Sequence, residues 1–158
     1  MFNLRAQGKG IDSMSGENDA READRQDSSP LAGKRVVIIE DEGITQLQMR
    51  RALTKAGLKL VGVATTAREG RDVVLKERPD LVLMDITLSG DIDGLDAAED
   101  ILATYQVCIV VVTSYNNDEL RWRAQDIGTC GYIVKPVPEE ALLHELEKAD
   151  LLWKARHA

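Results

Sequence analysis

Arg35-Val-Val-Ile-Ile-Glu-Asp-Glu42 decides how this chain folds: four consecutive β-branched apolar residues run straight into three acids. A half-exposed strand alternates apolar and polar residues, whereas a short unbroken run is buried on both faces, as inside a parallel sheet. Residues 43–56 then read as a helix, with Ile44 and Leu47 set among polar positions and Gly57 placed at its C-cap.

The same alternation continues outward. Residues 58–64 form a predicted second strand. Residues 66–78 form a helix carrying Val73, Val74 and Leu75 and stopped by Pro79. Residues 80–86 contain Leu81-Val-Leu-Met84, a third buried strand, and residues 94–105 a helix with Leu95, Ala98, Ile101 and Leu102 on one face. Residues 107–113 are the most β-branched run, and residues 117–127 a helix capped by Asn116 or Asn117. A fifth strand is predicted at 131–134 and a fifth helix at 139–153. Five strands alternating with five helices imply an α/β, doubly wound, five-stranded parallel sheet.

Upstream, residues 1–32 lack apolar periodicity and carry four basic and six acidic side chains. Such a segment cannot offset its chain entropy by burial, so it reads as a disordered leader, with the folded domain at 33–158. The whole chain has 158 residues, 20 Lys+Arg against 27 Asp+Glu, a formal net charge of −7 and 44% hydrophobic residues. The leader accounts for −2 of that charge (4 − 6), leaving −5 on the domain. No apolar run approaches the roughly 18–20 residues that span a bilayer, and no apolar stretch follows Arg5 and Lys9 as in a secretory signal. The acidity argues against nucleic-acid binding. Two cysteines, Cys108 and Cys130, fit buried residues in a reducing cytoplasm.

In an open α/β sheet the ligand site lies beyond the carboxyl ends of the strands. There the chain places Glu40-Asp-Glu42, Thr65-Thr66, Asp85, Thr113-Ser-Tyr115 and Lys135-Pro136. Asp85 follows four apolar residues directly, so its carboxylate sits at a buried edge where an uncompensated charge is costly. Carboxylates crowded this way share a proton or hold a hard cation, and an all-oxygen set without His or Cys favours Mg²⁺ over zinc.

Ile38-Ile-Glu-Asp-Glu42, Leu81-Val-Leu-Met-Asp-Ile-Thr87, Asp93-Gly94, Val111-Val-Thr-Ser-Tyr115 and Gly131-Tyr-Ile-Val-Lys-Pro136 together resemble the receiver domain of two-component response regulators, over roughly residues 34–155. The resemblance implies a flavodoxin-like strand order of 2-1-3-4-5. It implies Asp85 as phosphoacceptor, with Glu40, Asp41 and the main-chain carbonyl of Thr87 completing the protein ligands to Mg²⁺. It further implies Thr113 as the hydroxyl that bonds the phosphoryl group, Lys135 as the charge partner, Pro136 after a cis peptide and Tyr132 as the switch aromatic. Tyr115 and Thr87 are expected to flank the approach of the hydrolytic water, with bulky Tyr115 slowing autodephosphorylation.

Two departures stand out. Glu40 replaces the commoner Asp, lengthening the arm to the metal. The loop Leu88-Ser-Gly-Asp-Ile-Asp-Gly94 lacks the usual proline and resembles a Gly-Asp-x-Asp-Gly subgroup, many members of which sit beside sensor kinases.

The expected donor is therefore a sensor histidine kinase or histidine phosphotransferase. Apart from its own phosphorylation and slow dephosphorylation, the protein is not expected to turn over a substrate. After Trp153 only Lys-Ala-Arg-His-Ala follows, too short for a helix-turn-helix or a catalytic module, so the reading is a single-domain regulator acting on a downstream protein target. A homodimer through the fourth helix, fifth strand and fifth helix fits the same face. Trp122, between Arg121 and Arg123, suits an interface anchor. Leu142, Leu146, Ala149 and Trp153 read as core, and Leu151 and Leu152 widen the stripe toward a dimer or partner surface. His144 and His157 read as surface residues.

Three rivals are weighed. A flavin mononucleotide protein needs a Gly- and hydroxyl-rich phosphate loop where Glu40-Asp-Glu42 stands. A hydrolase with an aspartyl nucleophile needs a second Asp at the position of Thr87. A pseudo-receiver, an interaction module of the same fold working without phosphorylation, is the remaining alternative.

Overall fold

The computed structural model describes residues 29–88 and 93–158, so the leader assigned to 1–32 lies largely, and the Gly-Asp-x-Asp-Gly loop partly, outside the described residues. Five strands, β1 (Arg35–Ile39), β2 (Lys59–Ala64), β3 (Leu81–Met84), β4 (Cys108–Thr113) and β5 (Gly131–Val134), form one sheet in the order β2-β1-β3-β4-β5. Every neighbouring pair is parallel. Between and after them run α1 (Gly43–Lys55), α2 (Ala67–Glu77), α3 (Gly94–Thr104), α4 (Asp118–Ile127) and α5 (Glu139–Arg156).

Alternation along the strands sends successive side chains to opposite faces. Val36 and Ile38 enter a core layer with Met49, Ala52 and Leu53 of α1 and Leu142, Leu146 and Ala149 of α5. Val37 and Ile39 enter the other layer, with Val74 of α2 and Ala97, Ala98 and Ile101 of α3. A smaller cluster joins Ile86, Leu95 and Val111 to Ala124 of α4. This double coverage is why the interiors of β1, β3 and β4 carry no polar residue.

The caps follow local chemistry. Thr66 accepts from the N–H of Glu69, Asp93 from that of Leu95 and Asn117 from that of Leu120, each satisfying a donor that the first helical turn leaves free. Gly128 ends α4 at φ 107°, and Arg78 ends α2 at φ 48°, a left-handed cap taken by a non-glycine residue immediately before Pro79. Most element ends fall within two residues of the sequence reading, and two places depart from it further. Helix α5 runs to Arg156 because no breaker intervenes after Trp153, and Leu31, ahead of the expected domain start, is fully buried in the α1/α5 layer. No helix among the described residues is long and apolar enough to cross a membrane.

Candidate functional site

Glu40, Asp85 and Lys135 are each the first residue beyond a strand, with the backbone still tied to the neighbouring strand. The N–H of Glu40 donates to Ala64 O at 2.9 Å, that of Asp85 to Ile39 O at 2.9 Å and that of Lys135 to Thr113 O at 2.7 Å. The sheet ladder thus aims three side chains at one point with little freedom of their own. Glu40 is fully buried and Asp85 is 5% exposed.

Lys135 spans the two acids. Its Nζ lies 2.8 and 3.0 Å from the two Glu40 carboxylate oxygens and 3.1 Å from Asp85 Oδ2. The other oxygen, Asp85 Oδ1, accepts from the N–H and the hydroxyl of Thr87 at 3.0 and 2.9 Å. The longer arm of Glu40 is what brings both of its oxygens to the lysine. The Lys135–Pro136 peptide is cis.

The electrostatics are undercompensated. Burial pushes the Glu40 carboxyl up to about 7, with the charge of Asp85 adding and the hydrogen bond from Lys135 opposing. Burial also pulls the Lys135 ammonium down, but its hydrogen bonds to Glu40 and Asp85, with their charges, leave it above the ordinary lysine value. Glu40, Asp41 and Asp85 each offer a carboxylate oxygen, all within 4.8 Å of one another. Three hard oxygen donors around excess negative charge fit a small divalent cation.

Thr113, fully buried, ends β4, and its hydroxyl accepts from the Tyr115 N–H at 3.4 Å. Tyr132 reaches back from β5: its hydroxyl donates to the Tyr115 carbonyl at 2.6 Å, and the Arg121 guanidinium lies 4.6 Å over its ring. Burial raises the Tyr132 phenol above its ordinary value. Glu40, Asp41, Asp85, Thr87 and Lys135 therefore converge on one pocket, while Thr113, Tyr115 and Tyr132 form a chain leading from its rim toward α4. Sequence reasoning missed Arg121 over Tyr132, and Gln46, whose Nε2 donates to the Glu40 carbonyl at 2.6 Å. Neither residue sits in a local pattern that announces such a role.

Fold and pocket together define an aspartate-centred α/β module, and residues 36–147 match the response regulator receiver domain. The chain belongs to that family. It is 33% identical over 123 residues to the transcriptional regulatory protein PdtaR of Mycobacterium tuberculosis, covering 78% of this chain and 60% of that protein. It is 31% identical over 117 residues to the chemotaxis protein CheY of Thermotoga maritima, covering 73% of this chain and 97% of that one. Among solved structures, the signal receiver domain of a modulated diguanylate cyclase from Desulfovibrio desulfuricans G20 superposes with a TM-score of 0.72 at 30% identity, covering 78% of this chain and 98% of that domain. The BeF3-activated receiver domain of Klebsiella pneumoniae RstA gives 0.67 at 30%, covering 73% and 97%. The chain thus spans about 60% of the length of PdtaR and nearly all of CheY.

Proposed function

We propose that the protein accepts a phosphoryl group from a phosphohistidine donor onto Asp85 and signals by protein–protein contact. The observation that carries this reading is the buried Asp85 carboxylate bridged to Glu40 by the Lys135 ammonium at a receiver-type strand edge. An Asp85 oxygen forms a bond to phosphorus as the donor's N–P bond breaks and the imidazole leaves. Lys135 neutralises charge on the transferring oxygens, and the Thr113 hydroxyl takes up one of them afterwards. Glu40, Asp41, Asp85 and the Thr87 carbonyl would hold Mg²⁺, which would supply further charge neutralisation. The donor approaches over a groove of about 710 Å³ lined by Ile44, Met49, Lys135, Pro136 and Val137, beside the pocket.

Movement of Thr113 draws on the same loop that Tyr132 holds through the Tyr115 carbonyl. Repacking of Tyr132 then changes the α4–β5–α5 face, where Trp122 is 65% exposed. That face is the proposed docking surface for a target protein or a second copy of the chain.

Incubation with acetyl phosphate and Mg²⁺ tests the reading. The wild-type protein should gain one phosphoryl group, and Asp85→Asn or removal of Mg²⁺ should abolish it. A folded wild-type protein that takes up no phosphate would instead be a pseudo-receiver.

A further inference from the structure

At the end of the sheet opposite the acidic pocket, the two cysteines stand together. Cys108 opens β4 and Cys130 immediately precedes β5. The Cys130 N–H donates to the carbonyl of Ile109, the neighbour of Cys108, at 2.8 Å. This bond sets the two cysteines in diagonal register, and both side chains lie in the α1/α5 core layer. Both are free thiols, and each is the leading electrostatic neighbour of the other.

The pair is chemically asymmetric. The neighbouring Cys108 thiol lowers that of Cys130 from its ordinary value, with burial and Asp150 opposing and the nearby Arg156 guanidinium assisting. The neighbouring Cys130 and burial raise the Cys108 thiol above its ordinary value, with Asp150 adding and Lys34 opposing. Cys130 is also the more accessible, at 8% against 1%. The Cys130 sulfur is therefore the one a small oxidant reaches first, with Cys108 behind it.

We propose that Cys108 and Cys130 form an oxidisable dithiol, a modification site at which a hydroperoxide converts the pair into an intramolecular disulfide. The Cys130 thiol gives up its proton and the resulting thiolate attacks a peroxide oxygen; the O–O bond breaks, Cys130 becomes a sulfenic acid, and with hydrogen peroxide the departing hydroxide takes up that proton and leaves as water. The Cys108 sulfur then attacks the Cys130 sulfur; the S–O bond breaks and a second water carries away the hydroxyl and the Cys108 proton. Two thiols are oxidised by two electrons and one peroxide is reduced to two waters. The bridge joins β4 and β5, the strands whose far ends carry Thr113 and Lys135. The site is independent of Asp85 chemistry.

The test exposes the full chain to hydrogen peroxide, denatures it in excess N-ethylmaleimide and measures the intact mass and peptide map. The expected product has lost two hydrogens, takes up no maleimide, carries a Cys108–Cys130 link and returns to the dithiol with dithiothreitol. Its yield should not change on dilution. Two alkylated cysteines after peroxide, a link between separate chains, or a sulfinic acid at Cys130 in place of the link each overturn the proposal. In Cys108→Ala, dimedone should capture a sulfenic acid at Cys130, whereas Cys130→Ala should leave Cys108 unreacted. The opposite pattern overturns the assigned order of attack.

Discussion

Glu40 is a fully buried carboxylate that shares one lysine with Asp85, so ionising it works against the fold. Its folded value of about 7 lies above the model-compound 4.5, so between those values the folded state holds a proton that the unfolded state has released. The penalty is absent below about pH 4.5, grows as pH rises and is complete above about 7. Glu40→Gln should therefore gain stability relative to wild type on going from pH 5 to pH 8, by about 1–3 kcal/mol in the absence of divalent metal. Urea unfolding in EDTA at the two values checks this; a difference that stays constant with pH would show that Glu40 ionises freely. At the same scale, Tyr115 is 51% exposed, its carbonyl accepts from the Tyr132 hydroxyl, and it lies two residues beyond Thr113. Tyr115→Ala should shorten the acyl-phosphate lifetime several-fold, read as phosphate release after the donor is removed. An unchanged lifetime would mean that the ring does not screen the phosphoryl group from water.

The strands were legible because burial on both faces leaves a plain signature, and β5 matches its predicted 131–134 at both ends. The charged residues of the pocket were legible for a related reason: an acid or lysine directly after an apolar run has only the sheet edge to occupy. What the sequence did not disclose is contact between elements distant along the chain. Arg121 on α4 covers Tyr132 of β5, and Arg123 of α4 pairs with Asp93 and Asp96 at the start of α3. Gly94 is the sharpest case. In the sequence it stands only in the Asp93-Gly94 motif at the start of a predicted helix, yet a Cβ there would lie 2.6 Å from both the Asp85 carbonyl oxygen and the Ile86 Cα. Those obstacles are backbone, not a flexible side-chain tip. Gly94→Ala should therefore cost about 1–3 kcal/mol by overpacking and displace the segment that carries Asp85. Thermal unfolding and acetyl-phosphate labelling should both register the change; full stability with undiminished labelling would mean that α3 can shift aside without cost.

Across the whole molecule, the sheet separates two kinds of polar chemistry. The acidic pocket occupies the carboxyl ends of the strands, while near the other end Asp150 of α5, 4% exposed, pairs with Lys34 at 2.9 Å and Lys154 at 3.1 Å. Lys34 belongs to the turn that leads into β1, so the chain entering the sheet is tied to the last helix. That tie has no signature in the local sequence. Ser28-Ser-Pro-Leu-Ala-Gly33 has the composition of a flexible approach, and its single large apolar residue gives no periodicity to read. In three dimensions the Gly33 N–H donates to Gly57 O at 2.8 Å and the Lys34 N–H to Leu31 O at 3.1 Å, folding the turn over the end of α1. Leu31 is thereby driven into the same layer as Leu53, at 0% exposure against 1%. Truncating either side chain removes a comparable buried volume from one continuous core. Leu31→Ala should cost about 2–4 kcal/mol, close to the cost of Leu53→Ala, as equilibrium urea unfolding of the two variants would measure. A near-neutral Leu31→Ala beside a damaging Leu53→Ala would place the start of the cooperative unit after residue 31.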